Sequence, residues 1–257
     1  MEYALIAGAA LAASFLTFFS GFGLGTLLLP VFLLFFPIPI AIALTATVHL
    51  LNNLFKLGLL WKKWNWEVVL RFGLPALITA FIGSQCLLWL SVNPAQLSFE
   101  LFNTVFTTSP LRILIGCLMI FFSFFETSFL ANRISITPRL LSIGGMLSGF
   151  LGGLSGHQGA MRSFFLLKSG LGKEAFIATS VFIACLVDVA RLSVYSSKFS
   201  SFLSADKISY VVVAVCAAFL GAFIGRRFLT KVKMRFVRTV ISVMLFSIGV
   251  SLILGVI

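Results

Sequence analysis

The stretch Gly149-Phe-Leu-Gly-Gly-Leu-Ser-Gly-His-Gln-Gly-Ala-Met-Arg-Ser-Phe-Phe165 decides how the chain folds. It carries five glycines, a histidine, a glutamine and an arginine inside an otherwise apolar sequence. Helix-breaking glycine and ionisable side chains persist at membrane depth where they line a protected cavity. A related stretch, Ser20-Gly21-Phe-Gly-Leu-Gly25, lies far upstream. Two broken segments in corresponding halves predict the binding site of a secondary transporter.

The composition indicates a polytopic membrane protein. Hydrophobic residues make up 60% of the chain, charged residues 10%, and the mean hydropathy is +1.13. The net charge of +12 does not indicate a nucleic-acid partner, because the basic residues lie between apolar runs, as in cytoplasmic loops. The four cysteines lie in apolar runs without metal-binding spacing, so we predict free thiols and neither a metal nor a cofactor.

The apolar runs predict an all-α membrane protein built as an inverted repeat, in which each half is a broken-helix hairpin followed by three transmembrane helices. The first repeat, 1–130, has its hairpin at 4–35 and its spans at 39–60, 70–91 and 110–130. The second repeat, 131–257, has its hairpin at 140–167 and its spans at 174–195, 207–227 and 237–256.

The distribution of basic residues predicts the orientation. The linker 92–109 contains no lysine or arginine, whereas 61–71 and the cluster from Arg226 to Arg238 are basic. If the basic segments are cytoplasmic, both chain termini lie outside. We therefore predict a multi-pass protein of the cell membrane, a bacterial inner membrane or its equivalent. The first apolar run lacks a basic n-region, so we expect it to be retained.

The two halves align with each other at a shift of 135 residues, the difference between 155 and 20. The shift pairs Ser20-Gly21 with Ser155-Gly156, and it also pairs Asn53 with Asp188 and Lys56 with Arg191. Apolar sequence produces such matches by chance as well. However, three spans separate the hairpins, which inverts the second unit relative to the first, as in many secondary transporters.

The two glycine stretches also resemble a motif found in a known protein family. The first reads Gly21-Phe-Gly-Leu-Gly25 and is followed by Pro30, and the second reads Gly156-His-Gln-Gly-Ala160, with Phe165 where a proline would follow. The sequence thus resembles the sulfite exporter TauE/SafE permeases, whose halves each open with Gly-x-Gly-Gly-Gly and a later proline. The resemblance covers essentially the whole chain. It implies a permease that exports sulfite, organosulfonates or related small anions.

The hairpin tips are the predicted binding site. Glycine lets the backbone turn sharply, and a half-helix N-terminus holds an anion with its free N–H groups. Close helix packing through small residues is the alternative interpretation of the same glycines. The predicted substrate-binding residues are Ser20, Gly21, Gly23, Gly25, His49, Asn53, Ser155, Gly156, His157, Gln158, Gly159 and Arg162.

The ionisable residues divide into two groups. Arg162 has a planar fork that suits an oxyanion, with snorkelling to the interface as its alternative. His157 and Gln158 either donate to the anion or satisfy loop carbonyls. Asp188, Arg191 and Lys56 form a predicted coupling or charge-pair group, because Asp188 lies well inside an apolar run and Arg191 follows one turn later. For Lys56 and Arg191, substrate contact and snorkelling both stay open.

These observations predict a secondary transporter, and not an enzyme, that exports a small anion such as sulfite, an organosulfonate or a related sulfur oxyanion. The anion would bind between the two tips and move by alternating access. Two alternatives stay open. Gly153-Leu-Ser-Gly156 matches the motif of rhomboid proteases, with Ser155 as nucleophile and His49 as base, and the second alternative is an anion channel.

The predicted partners are the small anion and the lipid bilayer, with no nucleic acid. A homodimer, and coupling to protons or sodium, stay open.

Overall fold

The computed structural model describes residues 1–17, 23–92, 95–101, 104–127, 138–198, 205–228 and 234–257. Ten helices lie in these segments, and the predicted all-α membrane fold is confirmed. The helices are α1 (Glu2–Thr17), α2 (Leu24–Leu33), α3 (Ile38–Leu59), α4 (Trp66–Val92), α5 (Pro110–Thr127), α6 (Pro138–Ser155), α7 (Gln158–Leu166), α8 (Lys173–Lys198), α9 (Ala205–Phe228) and α10 (Met234–Ile253).

Four helices in the described part of the chain are long and apolar enough to cross a membrane: Ile38–Leu59, Trp66–Val92, Lys173–Ser196 and Lys207–Gly225. The apolar segments of α3 and α8 are 61% and 72% buried, against 39% for α4 and 33% for α9. The helices α3 and α8 therefore form the centre, and α4 and α9 expose more apolar surface. The predicted spans 110–130 and 237–256 correspond to α5 and α10, whose described apolar parts are shorter, so their crossing stays a prediction.

Two helix pairs overlap the ranges 4–35 and 140–167 of the predicted hairpins. The helix α1 packs on α2, and α6 packs on α7. Gly23 has a φ of 108° immediately before α2, and Gly156 has a φ of 81° between α6 and α7. Side chains rarely adopt this left-handed conformation, so glycine is needed at both turns. Ser20 and Gly21 of the first tip lie outside the described residues.

The two hairpins enter the helix bundle from opposite ends. At one end, the ring of Tyr3 at the start of α1 stacks on Tyr210 at the start of α9. At the other end, Lys63, which follows α3, pairs with Glu174 at the start of α8. The helix α6 runs parallel to α4, which starts at this second end. Such an arrangement suits an inverted repeat, although the repeat itself stays a prediction.

Each hairpin packs on a helix of the other half, α6 on α4 and α1 on α9. A methyl group added at Gly145, Gly149 or Gly153 of α6 would overlap a backbone carbonyl of α4. A methyl group at Gly221 of α9 would overlap the carbonyl of Leu11 of α1. Small residues allow this backbone approach, which is a common mode of helix packing in membranes.

The linker 92–109 contains an element that the sequence analysis did not predict. Strands β1 (Leu97–Leu101) and β2 (Thr104–Thr108) form an antiparallel hairpin in which Phe99 is paired with Phe106. Both strands alternate apolar and polar residues or carry β-branched residues, which favours strands. Thr108 Oγ1 donates to the carbonyl of Leu252, so this hairpin lies against the C-terminal end of α10.

We expect Gly149→Ala to lower the thermal stability of the detergent-solubilised protein, because the new methyl group forces α6 away from the Ala76 carbonyl. Overpacking of this kind costs about 1–3 kcal/mol. The matched control is Gly58→Ala in α3, where a methyl group meets no atom within 4 Å. Thermal unfolding of the two variants measures the difference. Equal melting temperatures would contradict the close packing of α4 and α6.

Candidate functional site

A cluster of buried polar side chains lies where α3, α7 and α8 meet. Its centre is the carboxylate of Asp188, which is 0% exposed. Asp188 Oδ1 accepts from Arg191 Nε at 2.9 Å and Nη2 at 2.7 Å, and from Gln158 Nε2 at 2.9 Å. Asp188 Oδ2 lies 2.6 Å from His49 Nδ1. One carboxylate thus connects α3, α7 and α8.

His49 is oriented by its neighbour on α3. Asn53 Nδ2 lies 3.2 Å from each ring nitrogen of His49. If Nδ1 carries the proton toward Asp188, Nε2 is the ring acceptor that faces the Asn53 amide. The structure therefore brings the predicted residues His49, Asn53 and Asp188 together, although 139 positions separate His49 from Asp188.

Arg162 extends the cluster along α7. Its Nη1 donates to Gln158 Oε1 at 2.7 Å, and its Nε donates to Ser180 Oγ of α8 at 2.9 Å. The Gln158 amide therefore bridges the Arg162 guanidinium and the Asp188 carboxylate. Arg162 is 0% exposed and does not extend to the surface, so the snorkelling interpretation does not describe it.

The start of α2 and the second hairpin tip approach each other beside this cluster. A Cβ placed on Gly25 would lie 3.7 Å from His49 Cδ2 and 3.9 Å from the carbonyl oxygen of Gly156. A Cβ placed on Gly156 would lie 3.2 Å from Arg191 Nη1. Within the described residues, neither Gly23 before α2 nor His157 before α7 makes a side-chain capping hydrogen bond. Two half-helices thus begin close to the buried guanidinium groups, with Gly159 in the first turn of α7.

The buried charges are unequal in sign. Among the described residues, the buried basic side chains are Lys56, Arg162 and Arg191, and the buried acidic side chain is Asp188. Lys56 lies one turn beyond Asn53 on α3 and, like Arg191, is buried instead of reaching the interface. Burying a charge costs several kcal/mol per ion unless a partner compensates it, as Asp188 does for Arg191. Among these described buried side chains, basic groups therefore outnumber the carboxylate three to one.

His157 differs from its neighbour Gln158, although we predicted the same role for both. Its ring stacks on Phe122, with centroids 5.2 Å apart, and its Nδ1 lies 3.2 Å from Ser155 Oγ. Because Ser155 donates to the Leu151 carbonyl, Nδ1 is the donor, and Nε2 is left as a buried acceptor without a partner in the described residues. In this tautomer, His157 offers no free N–H to an anion.

Ser155 and His49, the residue pair of the protease alternative, have different partners. Ser155 Oγ contacts Leu151 and His157, whereas His49 contacts Asp188 and Asn53. Within the described segments, no hydrogen bond joins Ser155 to His49. The geometry needed to activate a serine by a neighbouring base is therefore not formed between them.

Tyr195 and Ser148, which sequence reasoning missed, hold the second tip in place together with the predicted residue Arg191. Tyr195 of α8 donates its hydroxyl to the Gly153 carbonyl near the end of α6. Arg191 Nη1 donates to the Gly152 carbonyl at 3.3 Å, and Ser148 Oγ donates to the Gln158 carbonyl at 2.9 Å. A hydroxyl in an apolar helix is a weak sequence signal. Ser180, which accepts a hydrogen bond from Arg162, was also missed. Its position within the small-residue run 175–180 is the one sequence signal that could have indicated its role.

Comparison with known proteins identifies one family. The family model described as sulfite exporter TauE/SafE matches residues 6–252, nearly the whole chain. No curated protein and no solved structure gives a significant match.

We expect Tyr195→Phe to destabilise the protein by about 1–3 kcal/mol, because it leaves the buried Gly153 carbonyl without its donor. The matched control is Tyr3→Phe, which removes an exposed hydroxyl that contacts Ser209 and should change stability by no more than about 0.5 kcal/mol. Denaturation in detergent measures both variants. A Tyr195→Phe protein as stable as the control would show that this contact does not hold the tip.

Proposed function

The chain belongs to the sulfite exporter TauE/SafE family, and from that premise we propose that it exports a small sulfur oxyanion or sulfonate by alternating access. The family implies a multi-pass membrane transporter of sulfur anions. The proposed site is the buried cluster between the two hairpin tips. Its central residues are His49, Gln158, Arg162 and Arg191.

The observation that carries the proposal is the charge of this cluster. The guanidinium groups of Arg162 and Arg191 are buried at the centre, and Asp188 is the one buried carboxylate among the described residues. Guanidinium groups bind sulfur oxyanions well, because their planar N–H donors match pairs of acceptor oxygens. An anion bound here would lie close to both guanidinium groups, which attract negative charge.

The placement of the hairpins supports alternating access. The tips lie beside the cluster and their helices lead away to opposite ends of the bundle. A rocking motion of one half against the other would open the site to one side at a time. Arg162 and Asp188 are both 0% exposed, so the site is closed to solvent in this conformation. A conducting channel would hold a continuous water path through the same region.

We expect Arg162→Ala to weaken anion binding by tenfold or more, because removing one partner of a desolvated charged contact costs about 2–5 kcal/mol. Arg162→Lys should recover only part of the affinity, since lysine keeps the charge but not the planar fork. The ligand is chosen first by thermal stabilisation of the wild-type protein with sulfite, sulfate, thiosulfate and methanesulfonate. Isothermal titration then compares the variants.

The control for this series is Arg71→Ala, which removes an exposed arginine that pairs with Glu67 on α4. It should bind the anion with wild-type affinity. Wild-type affinity in a well-folded Arg162→Ala protein would remove Arg162 from the site. Failure of every anion to stabilise the wild-type protein would contradict the proposed substrate class.

A second prediction concerns the orientation in the membrane. We expect a reporter inserted within 92–109 to be periplasmic and one inserted within 229–236 to be cytoplasmic, because the basic segments set the orientation. Alkaline phosphatase and green fluorescent protein fusions distinguish the two sides. Finding both reporters on the same side would contradict the inverted arrangement of the halves.

A further inference from the structure

The carboxylate of Asp188 occupies the donors that a bound anion would use. Two donors come from Arg191, through Nε and Nη2, one comes from Gln158 Nε2, and one comes from His49 Nδ1. An ionised carboxylate accepts hydrogen bonds and donates none, as do sulfonate and fully ionised sulfite. In chemical terms, the protein holds its own anion in the site.

The Asp188 carboxylate and a bound anion would therefore compete for the same N–H donors. An anion that bound beside the ionised Asp188 would find these four N–H donors already engaged. It would also meet a like charge where the low local dielectric strengthens repulsion. Protonation of Asp188 removes both obstacles, because a neutral carboxyl group is a weaker acceptor and no longer repels the anion.

We propose that Asp188 is a built-in competitor of the substrate, and that each bound anion enters the site together with one proton, which Asp188 takes up. This inference rests on the proposed function and names the coupling ion of the same site. One proton is added to a carboxylate oxygen, and no other covalent bond forms or breaks. Replacing the carboxylate charge by a monoanion leaves the net charge of the cluster unchanged, so little additional charge is buried.

Other charged or titratable groups face Asp188, and the experiment must distinguish their titration from that of Asp188. They are His49 from α3, Arg162 from α7, and Cys185, Arg191 and Tyr195 from α8 itself. Arginine stays charged throughout the accessible pH range, and cysteine and tyrosine titrate in water above pH 8. His49 is therefore the group that the experiment has to distinguish from Asp188.

The experiment measures the affinity of the full-length protein for methanesulfonate and for sulfate between pH 5 and pH 8, by isothermal titration in detergent. Both probes keep a constant charge over this range, so a pH dependence belongs to the protein. We expect the affinity of the wild-type protein to increase by up to tenfold for each unit that the pH is lowered, because one proton binds with each anion.

The Asp188→Asn variant distinguishes the contribution of the carboxylate to the pH dependence from that of the other groups. We expect its affinity to be independent of pH and, at pH 8, at least tenfold higher than that of the wild-type protein. His49→Gln should keep the pH dependence. The matched control is Glu174→Gln, which neutralises an exposed carboxylate on the same helix, paired with Lys63, and it should behave as wild type.

Three results would overturn the inference: a wild-type affinity independent of pH, a pH dependence that persists in Asp188→Asn, or one that disappears in His49→Gln alone. If Asp188→Asn does not fold, titration of the wild-type protein in two buffers of different ionisation enthalpy counts the protons directly. We expect up to one proton per anion, and an uptake of zero would overturn the inference. A wild-type protein that binds neither probe at any pH would contradict the proposed function instead.

Discussion

The carboxylate of Asp188 is the interaction on which the arrangement of the centre depends. It binds Arg191 on its own helix, His49 on α3 and Gln158 at the start of α7. A buried carboxylate must keep all of its partners, because losing one leaves an uncompensated polar group in a low-dielectric interior. This side chain therefore links the start of α7 to both central helices, and Arg191 and Tyr195 hold the second tip to α8 as well. A change in the charge of Asp188 affects all three elements together.

Glycine determines where that tip can be. The glycines at 145, 149 and 153 bring the backbone of α6 against the backbone of α4, which fixes the depth of the hairpin in the bundle. The last turn of α6 then presents the carbonyl groups of Gly152 and Gly153 to Arg191 and Tyr195 of α8. These carbonyls are at a helix end, where backbone acceptors need partners from outside the helix: the Gly152 carbonyl accepts from Gly156 N–H as well as from Arg191, and the Gly153 carbonyl accepts from Tyr195. The end of α6 is therefore held both by close backbone packing on α4 and by hydrogen bonds from α8 to its carbonyl groups.

The sequence was sufficient to predict the all-α membrane fold and to single out the ionisable side chains of the cluster, because hydropathy and charge at membrane depth are strong local signals. It was not sufficient to predict the contacts, since His49 and Asp188 are 139 positions apart and no periodicity relates them. Adjacent residues also diverged: Gln158 begins α7 and faces Asp188, whereas His157 precedes the helix and stacks on Phe122. The strands β1 and β2 were missed because their alternation is short and lies in a polar linker.

The exchange of partners between the halves has a consequence for the order in which the protein is made. The helix α1 is synthesised before its packing partner α9, and seven of the described helices lie between them in the chain. Until α9 is synthesised, Leu11 and the ring of Tyr3 lack the surfaces that Gly221 and Tyr210 provide. The first hairpin therefore remains without its long-range partner during most of translation. By contrast, α6 finds α4 already inserted, so the second hairpin is completed earlier than the first.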